Sequence, residues 1–187
     1  AVERKFPEPI VGVRPSGAGV LVLLRSRLCK ASVSGGRMLV ENLVTGGLAS
    51  LRPVDMWQGA DSVIWVAAAH CVVAYAAKGP GGGLAEVGRV EMENPLAMSS
   101  DEAGNVVVAS PSEVCVLRVN RSSRGCSVVC ERRDAPSYLG KGSVCPRSAC
   151  LMPDGDIWFG AERGIIKYSP VTSGLSADTL ASRVAFC

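Results

Sequence analysis

Histidine is almost absent from this chain of 187 residues, which carries one, His70, and aromatic residues make up only 5% of it. A single imidazole leaves little room for a histidine-rich metal site or for a centre that needs two histidine bases. Long apolar runs are missing as well. Although 48% of the residues are hydrophobic, no stretch approaches the ~18 consecutive apolar residues of a membrane-spanning helix. Charge of one sign is not in excess either: the formal net charge is +3, and Arg25, Arg27, Arg118, Arg121, Arg124, Arg132 and Arg133 stand among polar residues without forming a stripe for nucleic acid. The apolar share is that of a chain that folds around a core, which excludes intrinsic disorder. Ala1-Val2-Glu3-Arg4 shows neither an initiator methionine nor an apolar signal core, and Cys187 follows directly on an apolar stretch. Both ends read as cuts, so the expectation is a piece of something larger or a processed product.

What is present is a repeat. Four β-rich bursts, Val20 to Leu23, Val63 to Val66, Val106 to Ala109 and Ile157 to Gly160, start 43, 43 and 51 residues apart. Each follows a short apolar strand (Ile10 to Val13, Leu48 to Leu51, Leu96 to Met98, Ala149 to Met152) and a polar turn, and each leads into a third strand: Leu28 to Val33, Cys71 to Tyr75, Val114 to Val119 and Gly164 to Tyr168. A fourth strand closes the unit at Met38 to Val44, Glu86 to Glu91, Ser127 to Glu131 and Ser182 to Cys187. Strands of this length separated by Gly, Asp and Pro turns predict four-stranded antiparallel units rather than helices. A period of about 40–50 residues with four strands in each is the signature of a β-propeller blade.

The segments themselves carry a resemblance. Asp154-Gly155-Asp156-Ile157-Trp158-Phe159-Gly160 and its continuation to Tyr168 resemble the second and third strands of WD-like and regulatory propeller blades, Ser62 to Tyr75 is similar, and Asp101 to Ser110 resembles an NHL-type segment. The resemblance implies an all-β propeller of about four four-stranded blades, at approximately 9–46, 47–91, 94–134 and 147–187, with 1–6 a strand of a preceding or closing blade. Such a chain is either a closed ring or a stretch of a larger propeller, and an unpaired edge would seek a partner, including a second copy.

Candidates for chemistry are few. Ala68-Ala69-His70-Cys71 resembles the histidine segment of trypsin-like serine proteases, in which His70 would be the general base. No Gly-Asp-Ser-Gly-Gly segment accompanies it, Ser143 lacks the flanking glycine, and neither Asp101 nor Asp134 stands in the expected apolar context. Cys29, Cys71 and Cys115 fall 9, 8 and 9 residues after the starts of their bursts, so they are read as small buried hydrophobes of one core layer. Cys126, Cys130, Cys145 and Cys150 are spaced more loosely than a zinc knuckle, and free thiols are preferred there to a metal site or a disulfide. The acidic turns Asp55 to Asp61, Asp101-Glu102 and Asp154 to Asp156 are read as turn chemistry rather than as calcium or channel carboxylates. Trp65 and Trp158 hold corresponding places in the second strand and are expected between blades, with Phe159 on the opposite face. Met56 and Trp57 fall in an expected loop, where they are either an exposed anchor for a partner or folded back and buried. Gly79 to Gly83 reads as a surface loop with no helix to cradle phosphate.

The function read from the sequence is a non-catalytic scaffold for protein–protein contact, part of a larger regulatory or signalling protein or assembly. The expected setting is cytoplasmic, with no cofactor, metal, nucleic acid or membrane partner. The competing expectations are a propeller hydrolase or lactonase using channel carboxylates, and a serine protease using His70.

Overall fold

The computed structural model describes residues 3–77, 83–101, 103–122, 125–134, 148–161 and 164–169. The first sheet is built from β1 (Ile10–Ser16), β2 (Gly19–Leu24), β3 (Leu28–Ser34) and β4 (Arg37–Val44) in that order. The chain then makes one turn of helix, α1 (Leu48–Leu51), before the second sheet: β5 (Pro53–Gln58), β6 (Ile64–Ala68), β7 (Cys71–Ala77) and β8 (Leu84–Glu91). The third consists of β9 (Ala97–Ser100), β10 (Val106–Ala109), β11 (Glu113–Ser122) and β12 (Gly125–Asp134), and the fourth of β13 (Ser148–Leu151), β14 (Ile157–Ala161) and β15 (Gly164–Tyr168). All neighbours pair antiparallel. The strand expected at Ser182 to Cys187 lies outside the described residues.

The sheets stack as blades in series. The innermost strands lie side by side, β1 on β5, β5 on β9 and β9 on β13. Three apolar layers fill the gaps: Leu21, Leu23 and Leu28 against Ile64, Val66 and Val73 between blades one and two; Val63, Trp65 and Ala74 against Val106, Val108 and Cys115 between two and three; Val107 and Val114 against Phe159 and Ile166 between three and four. Middle strands are therefore covered on both faces, which is why β6 and β10 are apolar at every position. Burial of these apolar faces is the main stabilising term of the stack.

Turn chemistry sets the register. In the first blade Gly35 and Gly36, both at positive φ, make the two-residue hairpin between Ser34 and Arg37, a backbone path that side-chain-bearing residues resist. The burst of the second blade is offset by one residue from the sequence alignment: the pair next to the first turn is Gln58↔Ile64, matching Ser100↔Val106 and Leu151↔Ile157. Since a one-residue slip exchanges the faces of a strand, Ile64 and not Val63 corresponds to Val106.

Two expectations need correction. Leu48 to Leu51 is a helical turn and not a strand, because Gly47 at φ 80 turns the chain into it and Leu48 plugs into the core between blades one and two. The inner strand is instead β5, begun by Pro53, a residue suited to the first position of a strand. Residues 3–6 belong to none of the four described sheets. Phe6 lies on the outward face of blade one, and Glu8 pins the segment by accepting from the Ser26 amide (2.9 Å), the Ser26 hydroxyl (2.8 Å) and Arg27 Nε (3.0 Å).

Candidate functional site

The inner strands are tied together by side chains the sequence had put in a loop. Met56 is on β5 and fully buried, and Trp57 beside it is half-buried, so neither is an exposed loop anchor. Trp57 donates from Nε1 to Ser100 Oγ at 2.6 Å, joining blade two to blade three, and the Arg14 guanidinium sits 5.3 Å from the centre of its ring. Arg14 also pairs with Asp55 at 2.6 Å, and the same carboxylate oxygen accepts from the Met56 amide at 2.8 Å. Asp55 is thus a strand residue that ties blade one to blade two. Ser99 accepts from the Leu151 amide at 3.2 Å, continuing the ties to blade four. Alternation puts Met56 in the layer between blades one and two and Trp57 against the layer between blades two and three, which a run flanked by Asp55 and Asp61 conceals.

His70 stands in the turn between β6 and β7, and its side chain is mostly exposed. Its Nδ1 is 2.8 Å from Glu93 Oε2, and its Nε2 is 3.5 Å from Arg52 Nη2. Glu93 is the orienting carboxylate that the sequence reading missed. It arrives through a contact distant in sequence, because the Met92 amide donates to the His70 carbonyl and the Asn94 amide to that of Ala69. Asp101 is engaged at a turn of blade three with the Asn105 amide and side chain, at 2.8 and 2.7 Å. Ser143 and the Asp134 side chain lie outside the described residues.

The acidic turns are occupied with their own backbones. Asp61 accepts from the Val63 amide at 3.1 Å and Asp154 from the Asp156 amide at 3.0 Å; positive φ is supplied by Ser62 beside Asp61, by Gly104 in the Asp101 turn and by Gly155 in the Asp154 turn. Among the described residues no three His, Cys, Asp or Glu side chains gather. An open cleft of about 580 Å³ at this end is lined by Ser16, Lys30, Gln58, Ser62, Ser100 and Asp101. Cys29, Cys71 and Cys115 are free and buried, each on the face turned away from the following blade, and burial pushes all three thiols up from their ordinary range. Cys126, Cys130 and Cys150 are free thiols as well; Cys145 lies outside the described residues, as do 79–82 of the glycine loop.

The two end faces of the stack are the least covered apolar surfaces. Trp65 pairs with Trp57 and Ala74 at the second position from the first turn of blade two, and Trp158 pairs with Cys150 and Lys167 at the second position from the first turn of blade four. The tryptophans are equivalent, yet Trp65 is 0% exposed between blades and Trp158 is 39% exposed. Ile157, Phe159, Ile166 and Tyr168 point to blade three, so Trp158 and Ile165 (51% exposed) point away from it. At the other end, Val22, Leu24, Cys29 and Ala31 form a buried layer that holds no residue of another blade among the described residues and has Phe6 packed against it. Val13, Val20 and Val33, on the same face, are open to solvent.

This architecture has relatives among solved structures. The chain is similar to a streptogramin B lyase (14% identity, TM-score 0.61, covering 89% of this chain and 53% of that one). It is also similar to virginiamycin B lyase from Staphylococcus aureus (10%, 0.57, 88% and 55%) and to the N-terminal domain of Nup170 from Chaetomium thermophilum in complex with Nup53 (10%, 0.51, 83% and 26%). The fold is that of a β-propeller. At these identities the likeness concerns the fold alone, and the chain spans about half the length of the two lyases. No protein-family model matches the chain, and no curated protein does. No helix among the described residues is long and apolar enough to cross a membrane.

Proposed function

We propose that the chain is a non-catalytic β-propeller scaffold whose end faces make protein–protein contacts, working within a larger regulatory or signalling assembly. The observation that carries this reading is Trp158: a side chain at the interblade position of Trp65, with Ile165 beside it on the face turned away from blade three and both open to solvent. A large exposed aromatic, here flanked by Ile165 and by Lys167 whose ammonium lies 5.8 Å from the ring centre, is a usual anchor of a protein contact. Nup170, a neighbour solved in complex with another protein, is a precedent for such use. On this reading the blades are of the WD-like, NHL-like or regulatory type, for which Asp154 to Tyr168 and Asp101 to Ser110 speak, and the setting is cytoplasmic, in keeping with the free thiols of the described cysteines.

The test is a photo-crosslinking amino acid in place of Trp158 in cells. Adducts to polypeptide at that position, lost when Ile165→Glu is added, are expected; a probe that is quenched by solvent alone contradicts the reading.

A second reading rests on His70. Its Nδ1 contact to Glu93 is the arrangement that orients a general base, and two of the similar structures are lyases. Against it, the other ring nitrogen faces the Arg52 guanidinium. An activity abolished by His70→Ala at unchanged thermal stability would favour this reading.

A further inference from the structure

We infer that the end faces take each other: the fourth blade of one copy docks on the first blade of a second copy, and two copies close one ring. This inference rests on the scaffold reading and names its partner.

The chain already contains the interface it would use. Between blades two and three, Trp65 shares a buried layer with Val106, Val108 and Cys115, where Val108 is paired with Cys115 across β10 and β11. The outward face of blade one presents the same three residue types at the same register counted from the second turn: Val20, Val22 and Cys29, with Val22 paired with Cys29 across β2 and β3. Spacing agrees, since Cys29 follows Val20, and Cys115 follows Val106, by 9 residues. The inner-strand partners also correspond, Val13↔Val22 and Met98↔Val108. Trp158 holds the position of Trp65 on the opposite end face. One end of the stack thus repeats the projecting half of an internal interface, and the other end repeats the receiving half.

Val22 and Cys29 are already buried in the single chain, with Phe6 packed against their layer, and the part of this face left open for docking is the surround of Val13, Val20 and Val33. Among the described residues, the apolar layer on blade one holds no residue of blade four. A second copy supplies both missing halves at once, by two identical head-to-tail contacts related by a two-fold axis, a heterologous interface that closes. The sum of blades is then about eight, the upper end of the range that propellers use.

Light scattering on the purified full chain tests this. The expected mass is twice 19.4 kDa. Trp158→Glu on one face and Val20→Glu on the other should each halve it, and Leu39→Glu, an equally exposed apolar position on neither docking surface, should leave it unchanged. The distinguishing step is to mix the two monomeric variants. Trp158→Glu retains an intact receiving face and Val20→Glu an intact projecting face, so the mixture regains the doubled mass through one good interface. If either variant fails to fold by circular dichroism, Ile165→Glu or Val33→Glu takes its place. A wild-type chain of single mass overturns the inference, as does a dimer broken by Trp158→Glu but untouched by both Val20→Glu and Val33→Glu, which would be a like-on-like contact. A single mass together with crosslinks from position 158 to a different protein would remove the second copy as partner and leave the scaffold reading standing.

Discussion

At the scale of single residues, position in the repeat was the most informative feature of the sequence. Cys29, Cys71 and Cys115 could be placed in the core because they recur 9, 8 and 9 residues into their repeats, and all three are buried on the face turned away from the following blade. Substituting Cys71 by Ser puts a hydroxyl among apolar neighbours and should destabilise by about 1–3 kcal/mol in urea unfolding, whereas a serine at Cys29 or Cys115 can still donate to Asn42 or Glu113 and should cost less. In the native state these thiols should resist alkylation while exposed Cys126 reacts. Because burial raises them, the folded state holds their protons beyond the point at which the unfolded chain releases them. Stability is then complete below the unfolded thiol range, about pH 8.5, and falls as pH rises through it, with buried Tyr75, also raised by burial, adding to the fall at higher pH. A urea midpoint that declines between pH 8 and 10, and declines less in Cys115→Val, is the expected result; a flat midpoint contradicts it. Met56 and Trp57 were not legible. Asp55, Gly59 and Asp61 mimic a turn, and the carboxylate that marks one is occupied by Arg14, 41 residues away.

Among the elements, strands announced themselves wherever both faces are buried, since a short apolar burst between turn residues has few other readings. The helical turn at Leu48–Leu51 did not, because four apolar residues carry too short a period to separate helix from strand. Packing between blades also depends on positions where a side chain is missing. Gly88 on β8 faces Val128 on β12, and a Cβ at Gly88 would come within 2.3 Å of the valine Cγ2. Gly88→Ala should therefore cost about 1–3 kcal/mol by forcing blades two and three apart. Val128→Ala in the same chain should restore most of that loss, and full additivity of the two changes in a double-mutant cycle would show that the blades do not meet there.

For the whole molecule, the blade count and the all-β class could be read from the sequence because a repeat reports on architecture without reference to any one contact. Which surfaces stay open could not, since exposure depends on what is packed against a face and not on its composition. Trp65 and Trp158 are alike in sequence and in register, and only their surroundings differ. The account's central claim is that the face bearing Trp158 is an interface. Cys150, exposed in the single chain and paired with Trp158 across β13 and β14, reports on it directly. The most direct measurement is the native-state alkylation rate of Cys150, followed residue by residue in a mass spectrometer, with Cys126 as the internal standard. The account predicts that Cys150 is protected in the wild-type chain, and that dilution or Trp158→Glu raises its rate to that of Cys126. Alkylation of Cys150 as fast as Cys126 in the wild-type chain at every concentration would show that the face is bare and the claim wrong.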